Sequence, residues 1–337
     1  MEHKYPILGI DVSKATLDGC LLAEQGHRTS VQVKNTSSGL RALALWLRRQ
    51  GVTDVTVCLE ATNLYGAAVA LFFHEREQTI VLANPTAVHA FMRATMQRAK
   101  TDKADADLIA RYAAAMAERL RPWHPLPAEY DELRDLVRHL HDLTRCRAKA
   151  KNRMEKLAYL TSAAKTHIER SIRADLAHYE REIRLITKDI RACLHEHEAM
   201  QKRYDLITST PGIGFVTAVT FMAEVPNSQQ FTHPKQLAAY AGMTPRVSQS
   251  GQRQPASQPI SKMGNRRLRY AFFMASLSAR QYNKAITVCT SNHASKKPMV
   301  LQMAVARKLI HLLYAMEKHQ RAYDPKYQKS QRNGGTN

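Results

Sequence analysis

Between Ala128 and Thr210 the chain contains neither glycine nor proline, and this limits its folding more than any other feature. Both residues interrupt regular structure, so a long segment without them, rich in Arg, Lys, Glu, Leu and Ala, can only be helical. Leu133, Leu136, Leu140 and Leu143 recur three and four residues apart, the spacing of one helix face. The pattern predicts two or three long helices, paired as a coiled coil. Pro122, Pro125 and Pro127 mark their start and Thr210-Pro211-Gly212 their end. The expected division is an N-terminal domain over 1–127, a helical linker or assembly region over 128–205 and a C-terminal domain over 206–325. A polar, basic, Gly-containing tail over 326–337 is expected to be disordered.

The N-terminal region alternates short β-type runs with helical patterns, which argues for an α/β sheet domain. Strands are expected at Ile7–Ile10, Thr16–Leu22, Thr29–Lys34, Asp54–Leu59 and Thr79–Leu82. A helix is expected over Gly39–Gln50, with Leu40, Leu43, Trp46 and Leu47 as its stripe. The order β-β-β-α-β-α-β is that of the ribonuclease-H-like group, in which three antiparallel strands come first. The fold class is therefore α/β followed by α.

Charge narrows the partners. The chain carries 50 Lys plus Arg against 29 Asp plus Glu, a formal +21. From Pro211 onward there are 18 Lys or Arg but only three acids, Glu224, Glu317 and Asp324, so +15 of the excess lies there. A solubility device would be spread evenly, whereas a concentrated excess suits a polyanion, whose condensed counterions are released on binding. The longest uninterrupted apolar stretch, around Ala67 to Phe73, is far short of a bilayer span, and Met1 to Lys4 do not resemble a secretory signal. No membrane association and a cytoplasmic location are expected. Cys20, Cys58, Cys146, Cys193 and Cys289 lack the paired spacing of a zinc site or disulfide framework.

Acidic residues fall where chemistry can use them. Asp11 ends the apolar run Ile7–Ile10, and Glu60 ends Val55–Leu59. If the two strands are neighbours, both carboxylates emerge together at the sheet edge, where open α/β sheets bind ligands. Asp102 and Asp105, three apart at the start of a helix-forming stretch, share one helix face. Four such oxygen donors suit Mg²⁺ or Mn²⁺ and the two-metal cleavage of a phosphodiester. The simpler alternative is that Thr101 caps the helix while Asp102 and Asp105 complement its dipole. Asp54 and Asp107 read as solvated charges. Gly9-Ile10-Asp11-Val12-Ser13-Lys14 would also suit a sugar kinase or actin-like ATPase, but no second Asp-Gly phosphate turn or glycine-rich adenosine loop follows.

In the C-terminal region, Thr210-Pro211-Gly212-Ile213-Gly214 reads as the hairpin of a helix-hairpin-helix element, with Gly212 and Gly214 letting backbone amides approach a phosphate. A plain tight turn would look similar. Ser248, Ser250, Ser257 and Ser261 lie among Arg246, Arg253, Lys262, Arg266, Arg267 and Arg269. Any of these serines could attack phosphorus while the cations stabilise developing oxyanion charge, and their chemistry alone does not distinguish them.

Taken together, Gly-Ile-Asp-Val-Ser-Lys (9–14), Leu-Glu-Ala-Thr (59–62), Asn84-Pro85 and Lys-Thr-Asp-Lys-Ala-Asp (100–105) resemble the RuvC-like half of the DEDD transposases of bacterial insertion sequences, relatives of the Piv DNA invertase. Pro-Gly-Ile-Gly (211–214), Ala-Gly-Met-Thr-Pro-Arg (241–246), Gln-Ser-Gly (249–251) and Ser-Lys-Met-Gly-Asn-Arg-Arg-Leu-Arg (261–269) resemble the transposase half. More narrowly, the chain resembles the one-ten family, whose recombinases are guided by a bridge RNA. The resemblance implies Asp11, Glu60, Asp102 and Asp105 as a metal-binding tetrad and Ser250 as the nucleophile that links covalently to DNA. It further implies a non-coding RNA that pairs with donor and target double-stranded DNA, and a homo-oligomer, a dimer or, in the synaptic complex, a tetramer. The competing expectations are a RuvC-like junction nuclease that uses metal-activated water, and a non-catalytic RNA- or DNA-binding protein.

Overall fold

The structure is a computed structural model that describes residues 6–23, 26–61, 64–96, 101–246, 259–291 and 297–325. It divides into two compact units, Met1–Pro125 and Leu126–Asn337.

The first unit holds strands β1 (Ile7–Val12), β2 (Thr16–Leu22), β3 (Arg28–Lys34), β4 (Thr56–Glu60) and β5 (Thr79–Ala83), with helices α1 (Ser37–Arg49), α2 (Ala67–His74), α3 (Pro85–Ala94) and α4 (Asp102–Met116). The strand order is β3-β2-β1-β4-β5. β1, β2 and β3 pair antiparallel, while β4 and β5 join parallel to β1 and to each other. Along the chain, the order β-β-β-α-β-α-β expected from the sequence is the one observed, with strand ends within two residues of expectation.

Side-chain alternation sorts the strands onto two faces. Leu8, Ile10 and Leu17 pack with Leu40, Leu43 and Leu47 of α1 and with Val69 and Phe73 of α2. Ile7, Leu22, Cys58 and Val81 pack with Val88 of α3 and with Leu108, Ile109 and Tyr112 of α4. Gly9 lies on this second face. A β-carbon built on it would stand 2.3 Å from the Ala106 carbonyl oxygen and 2.4 Å from the Ala110 nitrogen, so α4 rests directly on the backbone of β1.

The second unit is helical: α5 (Ala128–Lys156), α6 (Lys165–Glu196), α7 (Glu198–Thr208), α8 (Phe215–Glu224), α9 (Pro234–Tyr240), α10 (Arg266–Tyr282), α11 (Lys284–Ser291) and α12 (Pro298–His319). The boundary expected at 205/206 falls inside α7. Leu133, Val137 and Leu140 of α5 and Ile190, Cys193 and Leu194 of α6 share one core with Phe221, Phe272 and Leu309. Only the far half of the α5–α6 hairpin packs separately, around Ala150, Leu157 and Ile172. Buried charge ties the middle helices to the rest. Arg203 of α7 donates to Glu317 of α12 and to the carbonyls of Val225 and Pro226, and Arg138 of α5 holds Glu224 at the end of α8. Such partly buried pairs add little net stability, but losing one partner strands a charge.

Helix α12 is long and apolar enough to cross a membrane, which the reading of uninterrupted apolar runs missed. In this unit it is a core element, with Leu301, Val305, Leu309, Ile310 and Leu313 buried. Cys20, Cys58, Cys146 and Cys193 are free thiols.

Gly9→Ala tests the contact on which the first unit is built. The added methyl must push α4 off β1, and we expect a loss of about 3 kcal/mol in urea denaturation. A stability within experimental error of the parent would show that the helix can yield at no cost.

Candidate functional site

Alternation places Asp11, Glu60 and Asp18 on the face covered by α4. Asp11 follows Ile7 and Gly9 on β1, while Glu60 ends β4 in phase with Cys58. β1 and β4 run parallel in register, Ile10 beside Leu59, so the two acids leave the sheet side by side. Asp18 pairs with Asp11 across β1 and β2. It is buried and accepts a hydrogen bond from Gln32 Nε2 at 2.9 Å. On α4, Thr101 accepts the Ala104 N–H as N-cap, and the Asp105 N–H donates to the Thr101 carbonyl at 2.8 Å. The capping read from the sequence is present, and it coexists with the proximity of the acids.

The carboxylates repel one another. Burial, then Asp105, Asp102, Glu60 and Asp18, push the Asp11 carboxyl up from 3.8 to about 6. Burial also raises Glu60, with His89 of α3 opposing and Asp105 adding to the rise. Among the described residues, no three His, Cys, Asp or Glu side chains converge as metal ligands would. The donor set is nonetheless all hard carboxylate oxygen in a field that favours added positive charge, and this chemistry fits a hard divalent cation. Two of these neighbours went unread in the sequence. Asp18 sits in the strand pattern Leu-Asp-Gly, and His89 is exposed on α3. Asp107, read as a solvated charge, is instead paired with Arg28 at 3.1 Å and Arg111 at 2.9 Å. Asp54 is exposed as expected.

The cationic residues lie in the second unit. Ser248, Ser250, Arg253 and Ser257 fall outside the described residues. The chain leading to and from them is held together: Pro245 bridges Ile260, and the Arg246 N–H donates to the Pro259 carbonyl at 2.8 Å. Ser261 lies in that stem, with its N–H on the Thr244 carbonyl. Lys262 follows with φ 55°, an uncommon left-handed conformation for a side-chain-bearing residue. Arg266, Arg267 and Arg269 open α10, whose N-cap, Asn265, accepts the Leu268 N–H and donates to Glu224 Oε2 at 2.7 Å. Arg138 completes that clamp through Glu224 at 3.0 and 3.2 Å. Burial works against the Glu224 charge, but Arg138 and Asn265 outweigh it and hold the carboxyl below its usual range. Arg269 is partly engaged inward, donating to the Ala241 carbonyl at 3.0 Å.

The two hairpin glycines separate. Gly212 has φ 97°, and a β-carbon there would stand 2.4 Å from Ala279, so its need is internal packing. Gly214 caps α8 and has open space around its absent side chain.

Two measurements follow. Because folded Asp11 holds its proton more tightly than unfolded Asp11, its contribution favours folding below about pH 4 and is lost as pH rises through about 6. In cation-free buffer, Asp11→Asn is therefore expected to flatten the fall in Tm between about pH 4 and about pH 7. Equal falls in both proteins would contradict the clustered field. Gly212→Ala is expected to cost about 2 kcal/mol of stability, and Gly214→Ala about 1 kcal/mol or less. A loss of DNA binding in the Gly214 variant at preserved stability would mark that amide as a phosphate contact, and unchanged binding would remove it from the interface.

Comparisons with known proteins agree with this architecture. Residues 8–162 match the profile DEDD_Tnp_IS110, described as a transposase, and residues 204–288 match that of the transposase IS116/IS110/IS902 family. The pilin gene-inverting protein of Moraxella bovis is 28% identical over 94% of this chain and 97% of its own. The transposase for insertion sequence element IS1111A of Coxiella burnetii is 28% identical over 39% of this chain and 30% of its own. The solved structure of Thermus thermophilus RuvC covers 35% of this chain and 100% of its own at 17% identity, with a TM-score of 0.28, too slight a likeness to argue from. With both transposase domains present, in this order and on this fold, the chain belongs to the IS110 family of transposases.

Proposed function

We propose that this transposase is an RNA-guided DNA recombinase that cuts and rejoins donor and target DNA through a covalent serine–DNA intermediate. The observation that carries the catalytic part is the carboxylate cluster of Asp11, Glu60, Asp102, Asp105 and Asp18, in which burial and then the neighbouring carboxylates lift the Asp11 carboxyl to about 6. Asp11, Glu60, Asp102 and Asp105 would hold Mg²⁺ or Mn²⁺, which when bound supplies a Lewis acid for phosphate oxygens. Asp18, already hydrogen-bonded to Gln32, would add negative charge beside Asp11 without serving as a ligand.

The Ser250 hydroxyl oxygen would form a bond to phosphorus as the bridging P–O bond to the sugar breaks, its proton passing to the departing sugar oxygen. Attack of another strand's sugar hydroxyl on that phosphoserine would reverse the chemistry and reseal the backbone. Arg246, Arg253, Lys262, Arg266 and Arg267 would hold phosphates around this step, supported by the concentration of positive charge in the C-terminal region. Sequence choice would rest with base pairing to a non-coding bridge RNA, the protein reading backbone and shape. The protein would act as a dimer, or as a tetramer in the synaptic complex, in the cytoplasm and at the nucleoid when bound to DNA. The pilin gene-inverting proteins, alike over nearly their whole length, support inversion or insertion of DNA as the outcome.

Incubation with the copurifying RNA and with donor and target DNA is expected to trap protein covalently on DNA, and Ser250→Ala to abolish the adduct. Cleavage without any adduct would favour metal-activated water as the nucleophile, the chemistry of a junction nuclease. Sequencing the copurifying RNA is expected to return one structured species encoded beside the gene. Bulk cellular RNA alone would count against guidance.

A further inference from the structure

The second unit contains a cavity of about 850 Å³ between the stem at Pro245 and Ile260, the start of α10 and the start of α12. Its floor is apolar, with Met243, Phe273 and Met303, while Tyr270 and Met299 stand at the mouth, 60% and 62% exposed. Among the described residues, every charged side chain in the lining is cationic: Lys262, Arg266, Arg269 and Arg307. The Nε of Arg307 is buried and has no hydrogen-bond partner among the described residues, a state that buried donors seldom keep. Lys262 holds its place at the rim in the strained left-handed conformation.

An occupant of this cavity needs a flat or apolar body and an attached anion. An uncharged peptide would answer only the floor and an inorganic anion only the rim, and a phospholipid, which would answer both, has no part in the chemistry of a DNA recombinase. A nucleotide out of its stack answers both, with its base against Phe273, Tyr270 and the methionines and its phosphate among the arginines. A base within duplex DNA is walled in by its neighbours, so only an unpaired one can enter. Among the described residues, the lining includes no Ser, Thr, Asn, Gln, Asp or Glu side chain to meet a ribose 2′-hydroxyl, the group by which proteins distinguish RNA.

We propose that this cavity receives an unpaired DNA base, giving the C-terminal domain a pocket that senses open DNA beside the cations assigned above to phosphate. The proposal rests on the reading of this chain as a DNA recombinase. Strand exchange makes unpaired bases in passing, and the cavity would bind them as they appear.

The test uses the full-length protein and fluorescent duplexes, either fully paired or carrying one unpaired 2-aminopurine, with the matching RNA as a further arm. We expect tighter binding of the unpaired DNA probe together with a change in 2-aminopurine emission. Ala304 is an exposed lining residue on α12, so Ala304→Trp fills the cavity from its rim. This variant is expected to lose about tenfold in affinity for the unpaired probe while keeping duplex binding, and Ala304→Ser to behave as the parent. Met299→Asp, at a 62% exposed position, repeats the test with a charge should the tryptophan variant melt early. Equal binding of paired and unpaired DNA, or unpaired binding untouched by both variants, would overturn the cavity assignment and leave the recombinase reading standing. Failure to bind any DNA would overturn both. Tighter binding of the unpaired RNA would overturn the choice of DNA. A change in sedimentation of the protein alone, without a change in DNA affinity, would give the cavity to a second copy of the chain and overturn the proposal.

Discussion

Helix α4 lies on bare backbone where it crosses β1 at Gly9, and the first unit depends on that approach. Any side chain at Gly9 would hold the helix off, and the first turn of α4 carries Asp102 and Asp105. Their influence on Asp11 requires the helix to lie close, because carboxylate repulsion weakens quickly with distance and with intervening water. The same approach buries Leu108, Ile109 and Tyr112 against the sheet, so the apolar contacts that stabilise the unit also hold the acids together. The gain from burial offsets the cost of crowding like charges.

The second unit solves a different problem, that of anchoring a cationic surface. Arginines at the start of a helix repel one another and oppose its dipole, and α10 begins with Arg266 and Arg267 and has no acid in its first turn. Asn265 supplies the missing cap, and it is itself fixed by Glu224, which Arg138 neutralises from a helix far away in the sequence. The chain thus spends one of its few C-terminal carboxylates on stiffening the base of the cationic surface.

Much of this was legible in residue order, for identifiable reasons. Asp11 and Glu60 ended apolar runs, and strand periodicity then determines their direction, so only the neighbour relation of β1 and β4 had to come from the structure. Asp102 and Asp105 declared themselves through helix register and the Thr101 cap. Asp18 did not, because an acid inside a strand looks like a break in pattern until the antiparallel register sets it opposite Asp11. Asp107 was misread because its partners, Arg28 and Arg111, include one from a distant strand. The boundary near 205 lies within α7. A segment without Gly and Pro reads as a separate rod, yet Leu133, Val137 and Ile190 carry the core of the C-terminal domain. The opposite needs of Gly212 and Gly214 were also hidden, since one depends on Ala279 and the other on nothing nearby.

The burial of Glu224 and Glu317 has an effect beyond the fold. Of the three acids after Pro211, these two are turned inward and matched to Arg138 and Arg203, leaving Asp324 as the one acid facing outward. The outward field of this region is therefore more uniform than its composition suggests, with almost no negative point at which an approaching phosphate would be repelled. Long-range capture of DNA would then be fast and indifferent to orientation, weakening steeply as ionic strength rises, with fit decided only after contact.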